Sequence, residues 1–183
     1  MKAIVNVNES WGIGLGGELL EYIPEDMKFF RETTRDKIVI MGRKTLLSFP
    51  GGHPLKNRIN IVLTSDRNSI DSDMMDGINL DTNKNTRLII AQNRDEVLRL
   101  AALYNPDDVY VIGGQSVYRE FLPYCREALV TINDSKKKAD TFFPDLNELK
   151  NWKLKKESMI HEFEGIRYRF TTFVNTDFKE WIS

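Results

Sequence analysis

Short runs rich in β-branched and aliphatic residues recur along the chain: KAIVNV from Lys2, KIVIM from Lys37, INIVL from Ile59, RLIIA from Arg87 and DVYVI from Asp108. Between them lie helical patterns over 24–34, 43–49, 94–104 and 115–122. Strands that alternate with helices bury both faces of a largely parallel sheet, so this order specifies an α/β domain. After Pro123 the pattern changes, because REALVTIN, WKLKKESMIH and IRYRFTTFV follow with no helix of any length between them. FEGIRYRF, with Gly165 at its turn, reads as an antiparallel hairpin closing one sheet edge. The expectation is a single domain with an eight-stranded mixed, mostly parallel sheet flanked by four helices, spanning 1–175, with 176–183 as a C-terminal tail.

At 183 residues and 41% hydrophobic content the chain is large enough for one domain with a real core. A net charge of -1 with scattered Lys and Arg gives no footprint for nucleic acid. The run Lys136, Lys137, Lys138, flanked by Asp134 and Asp140, reads as a solvated loop. Cys125 is the single cysteine, which excludes an internal disulfide and fits a reducing compartment, and it has no nucleophile motif around it. No segment suits a signal peptide or a membrane span, so a soluble cytoplasmic protein is expected. The polar stretch from Asp66 to Thr86 reads as a long surface loop, and the tail either packs through Phe178 and Trp181 or frays.

One acid is out of place. Pro24 suits the first turn of a helix, and on that helix Ile23, Met27, Phe29 and Phe30 share one arc while Glu25, Lys28, Arg31 and Glu32 face away. Asp26 falls within the apolar arc. An acid in the first turn is favoured by the unpaired amides and the helix dipole. Glu25 already supplies that charge on the solvent side, so the choice of face is left unexplained.

Three strands end in groups that suit anions: Gly42, Arg43, Lys44, Thr45; Thr64, Ser65, Asp66, Arg67; and Gly113, Gly114, Gln115, Ser116. Ligands of open α/β sheets gather at the carboxyl ends of strands, and free amides at a helix start attract phosphate. A phosphate-rich cofactor is the natural guest. Two motif matches fail on physical grounds. Gly12, Gly14 and Gly17 have the spacing of a dinucleotide turn, but Pro24 interrupts the helix that must follow. G-R-K-T at Gly42 lacks the first and second glycines of a phosphate loop. His53 and His161 are isolated, so no metal is expected.

These residues resemble bacterial dihydrofolate reductase, collinearly from Ala3 to about Val174. The most specific pieces are W-G-I-G at Trp11, I-P-E-D-M-K-F-F at Ile23, V-I-M-G-R-K-T at Val39, V-I-G-G-Q-S-V-Y at Val111 and D-T-F-F-P at Asp140. The resemblance implies reduction of 7,8-dihydrofolate by NADPH, binding of antifolate inhibitors, and a monomer. It makes Asp26 the catalytic carboxylate, which holds the pterin's 2-amino group and N3 and aids protonation at N5 as hydride arrives at C6. Burial would raise its pKa toward the working range.

The resemblance further implies a substrate pocket with Ile4, Val5, Phe30, Leu55, Ile112 and Tyr118, an Arg58 fork for the α-carboxylate of the glutamate tail, and Thr131 supporting Asp26. The cofactor would take Asn6, Ile13, Gly14, Leu19, Gly42, Arg43, Lys44, Thr45, Leu63, Thr64, Ser65 and Arg67, with the turn Ile112, Gly113, Gly114, Gln115, Ser116, Val117 and Tyr118. A cis peptide is implied at Gly113-Gly114. Ser116 stands where some relatives use an Arg for the 2′-phosphate, which shifts that task to Arg67. Leu20 and Glu21 stand where many relatives have Pro-Trp, and Glu21 is expected to face solvent because an unpaired buried charge is costly. Two alternatives remain at this stage: a riboflavin-pathway reductase of the same fold, and a nucleotide-binding regulatory module. Neither has an evident use for Asp26 and Arg58 together.

Overall fold

The structure, a computed structural model, describes residues 1–66, 70 and 86–181. Its strands are β1 (Lys2–Asn8), β2 (Gly12–Leu15), β3 (Glu18–Leu19), β4 (Ile38–Gly42), β5 (Ile59–Leu63), β6 (Arg87–Ala91), β7 (Val109–Gly113), β8 (Glu127–Asn133), β9 (Thr141–Phe142), β10 (Trp152–Glu157), β11 (His161–Phe163) and β12 (Ile166–Asn175). The helices are α1 (Pro24–Thr34), α2 (Arg43–Ser48), α3 (Arg94–Ala101) and α4 (Gln115–Phe121). Eight strands run in the order β10-β12-β8-β1-β7-β4-β5-β6, and β11 pairs with β12. β8-β1-β7-β4-β5-β6 are parallel, while β12 joins β8 and β10 antiparallel. This is the α/β fold expected from the alternation of runs.

WKLKKESMIH, which reads as one run, is divided between β10 and β11. The hairpin turns through Glu164 (φ 48°) and Gly165 (φ 81°), the pair of positive dihedrals that a two-residue turn requires. The glycine-rich segment is itself paired, since β2 sits between β3 and β9 in a small second sheet. It turns at Gly16 and Gly17 into a strand and not a helix, as the rejection of a dinucleotide turn requires.

Alternation along the strands splits the core. One cluster gathers Val5, Val7, Ile38, Ile40, Val111 and Val130 with Val97 and Ala101 of α3 and Val117, Tyr118 and Phe121 of α4. The other gathers Ile4, Val39, Met41, Val62, Tyr110 and Ile112 with Leu46 of α2 and Phe29 and Phe30 of α1. Each face of the sheet is therefore sealed by two helices. Ile70 is buried in the second cluster, so the expected surface loop sends this residue inward; the rest of that loop between 67 and 85 lies outside the described residues. In the tail, Trp181 packs on the core, and the Phe178 ring lies 5.3 Å from the Arg126 guanidinium.

Candidate active site

Helix α1 begins as its sequence dictates, with Pro24 in the first turn and Ile23 fully buried before it. Its apolar arc turns to the sheet and carries Asp26 with it, leaving 6% of that residue exposed. The parallel pairing of β1 with β8 sets Asn6 beside Thr131. Both reach Asp26: the Asn6 amide donates to Oδ2 at 3.0 Å, and the Thr131 hydroxyl donates as well. Burial raises the Asp26 pKa above 3.8, against the opposing pull of the Thr131 and Asn6 hydrogen bonds. The carboxyl is thus poised to hold a proton closer to neutrality than a surface aspartate does.

Ile4 and Ile112 lie on the Asp26 side of the sheet with Phe30 and Leu55, whereas the Val5 side chain belongs to the opposite face. Tyr118 is buried there too, and its hydroxyl crosses to donate to the Ile4 carbonyl at 2.7 Å. Burial pushes the phenol above its ordinary range, so it remains a neutral donor.

Arg58 is buried where the end of α1 meets the loop before β5. Nε donates to Thr34 Oγ1 at 2.9 Å, Nη1 to the Lys56 carbonyl at 2.6 Å and Nη2 to the Arg31 carbonyl at 2.9 Å. Desolvation lowers its pKa, and its hydrogen-bond partners among the described residues are neutral oxygens. A buried guanidinium held this way has charge left for an anion.

At the carboxyl ends of β4, β5 and β7, Gly42 pairs with Leu63, and Met41 with Gly113. Gly113-Gly114 is a cis peptide. A Cβ on Gly42 would lie 3.2 Å from Val117 Cγ2, and one on Gly113 or Gly114 would lie 3.3 Å from Thr45 Oγ1, so the starts of α2 and α4 come together over small residues. Neither start has a side-chain cap. The amides of Arg43, Lys44, Thr45, Gln115, Ser116 and Val117 therefore surround a corner suited to a pyrophosphate. Thr64 and Ser65 follow β5 at the same edge, while Arg67 lies outside the described residues.

Ile13 and Leu19 line a cleft beside Asn6, although Leu19 is 62% exposed; Gly14 pairs with Leu19 across the small hairpin. A Cβ on Gly14 would lie 2.8 Å from the Glu18 carbonyl oxygen, which limits this position to glycine.

One expectation is overturned. Glu21 does not face solvent: it is 9% exposed, the Ser135 hydroxyl donates to Oε1 at 2.5 Å, and the Lys137 ammonium donates to Oε2 at 3.0 Å. The cost that argued against burial applies to an unpaired charge, and this one is paired. Lys137 is correspondingly not just part of a solvated run. Sequence reasoning also missed Asn60, fully buried on β5, which accepts from the Leu55 amide and donates to the Leu55, Arg58 and Arg87 carbonyls. An amide inside the apolar run INIVL was the available signal. The described residues hold no group of acids, His and Cys able to bind a metal.

The sequence model of the family described as dihydrofolate reductase matches residues 1–175. The dihydrofolate reductase of Drosophila melanogaster is 34% identical over 151 residues, covering 77% of this chain and 77% of the relative. That of Rattus norvegicus is 32% identical over 197 residues, covering 97% and 98%. A solved dihydrofolate reductase from Enterococcus faecalis, complexed with NADP(H) and RAB-propyl, superposes with a TM-score of 0.77 at 28% identity over 96% of both chains. With a buried carboxylate, a buried guanidinium and a glycine-lined corner between two uncapped helix starts on the matching fold, the chain belongs to the dihydrofolate reductase family and is an NADPH-dependent oxidoreductase that reduces dihydrofolate.

Proposed function

We propose that Asp26 is the catalytic carboxylate of this reaction. The observation that carries the reading is its position: an acid buried on the apolar arc of α1, held by Asn6 and Thr131, with its pKa raised by burial. A pteridine edge offers a 2-amino group and N3 as partners for such a group, which accounts for the apolar face where a simple helix-start role does not. NADPH, when bound, supplies the hydride that reaches C6. Asp26 orients the ring and favours the proton at N5, Ile4, Phe30, Leu55 and Ile112 exclude water from the ring, and Arg58 takes the tail carboxylate as a fork. The Gly42–Thr45 and Gly113–Val117 segments hold the cofactor phosphates, with Arg43, Thr64 and Ser65 toward the 2′-phosphate.

The same pocket takes inhibitors that present a protonated amino-heterocycle to Asp26. The family match over 1–175 supports one catalytic unit with 176–183 as a tail. The free, buried Cys125 fits the reducing cytoplasm, where the chain acts as a monomer. No described helix is long and apolar enough to cross a membrane. The test is NADPH oxidation followed by absorbance: it should require both the protein and dihydrofolate, and oxidation indifferent to dihydrofolate would refute the assignment.

A further inference from the structure

The Glu21 ion pair does not stand alone. Ser135, whose hydroxyl binds Glu21, donates its backbone amide to Asn133 Oδ1 at 3.0 Å. Asn133 Nδ2 donates to Asn6 Oδ1 at 2.8 Å and to the Val7 carbonyl at 3.0 Å. Asn6 Nδ2 then donates to Asp26. A side-chain amide has one acceptor and one donor end, so each contact fixes the direction of the next. With Asn133 Oδ1 committed to Ser135, its nitrogen must face Asn6; with Asn6 Oδ1 committed to Asn133, its nitrogen must face Asp26. Lys137 secures the outer end by donating to both Glu21 Oε2 and the Leu20 carbonyl, each at 3.0 Å.

We infer that Glu21 is a positioning residue for the reaction: by holding the Ser135 hydroxyl it places the Ser135 backbone amide that orients Asn133, and Asn133 in turn orients Asn6 onto Asp26. This rests on Asp26 being the catalytic carboxylate. A simple structural tie between two loops would not need the buried Asn133 amide and the half-buried Asn6 amide to be aligned onto that acid. Among the described residues, the Tyr118 and Tyr168 phenols feel Asp26, and both are raised by burial and so neutral near pH 7. Glu25 lies on the solvent side of the same helix, near Tyr168.

The inference separates two kinds of substitution. Glu21→Ala removes the acceptor of the Ser135 hydroxyl and so releases the segment whose backbone amide orients Asn133, loosening Asn6; since the Asn6 hydrogen bond favours the charged form of Asp26, weakening it moves the apparent pKa of the kcat/KM profile upward. Glu21→Gln keeps a group that bonds Ser135 and discards only the charge. The experiment is a set of pH-rate profiles for the full chain with NADPH and dihydrofolate, on wild type, Glu21→Ala, Glu21→Gln and Asp26→Asn. Ser135→Ala replaces Glu21→Ala if the latter does not fold.

The expected result is an upward shift with a loss of about fivefold in kcat for Glu21→Ala, a profile near wild type for Glu21→Gln, and crippled turnover for Asp26→Asn. An unmoved Glu21→Ala profile beside a crippled Asp26→Asn would overturn the inference while leaving the catalytic assignment intact. A Glu21→Gln profile displaced as far as Glu21→Ala would also overturn it, since charge alone would then matter. Normal turnover in Asp26→Asn would bring down the catalytic assignment and this inference together.

Discussion

A carboxylate on the apolar arc of α1 is held against its own folding preference, because burial raises the Asp26 pKa from 3.8. A group whose folded-state pKa is raised contributes most below its unfolded value and loses that contribution as pH rises through the folded value. At neutral pH the charged form therefore costs stability. Asp26→Asn, which keeps the shape, should raise the Tm at pH 7 by about 2–4 °C, and the gain should vanish near pH 3; thermal melts at both pH values check this. Arg43 is argued from charge instead. Removing a charged hydrogen bond to phosphate costs about 1.5–3 kcal/mol, so Arg43→Ala should raise KM for NADPH roughly tenfold or more while leaving that for NADH little changed. Equal effects on both would place Arg43 away from the 2′-phosphate.

Strands and helices long enough to show a period were legible in the sequence alone. α1 was legible from Pro24 and the Ile23, Met27, Phe30 arc, and β12 from its aliphatic and aromatic run. β2, β3 and β9 were not, because strands as short as Glu18–Leu19 and Thr141–Phe142 carry no periodic pattern and the pairing of β2 with β9 joins segments far apart along the chain. The burial of Glu21 escaped for the same reason: Ser135 and Lys137 are 114 and 116 positions away. Asn60 belongs to this scale, since it ties the loop bearing Leu55 and Arg58 to β5 and β6. Asn60→Ala would leave buried backbone groups unpaired at about 1–3 kcal/mol each. Urea denaturation should show a loss of about 3 kcal/mol, and KM for dihydrofolate should rise more than KM for NADPH as Arg58 loses its support.

Across the whole molecule, the two faces of one sheet divide the work. The face sealed by α1 and α2 holds Asp26 with Ile4, Phe30 and Ile112, while on the other face α3 and α4 pack onto the core and the start of α4 meets the strand ends. Cys125 lies in that core, fully buried, with its thiol pushed up to about 12. Thiol-reactive reagents should therefore label native protein only through opening of the fold, and saturating NADPH should slow labelling; rapid labelling of the native state would contradict the packing. Fold and family were legible because motif order follows the chain, whereas the hydrogen-bond path from Glu21 to Asp26 depends on pairings between β1, β8 and distant loops. On the proposed assignment, Asp26 does the acid-base work of dihydrofolate reduction. The most direct test of this is turnover of Asp26→Asn from pH 5 to pH 8 (about the range where solvent can replace the acid), with dihydrofolate and NADPH saturating. The variant should fold and bind cofactor, be crippled at neutral pH and recover toward acid pH as solvent-protonated substrate takes over. Near-normal turnover at neutral pH would contradict the assignment and return Asp26 to the role of a helix-start acid.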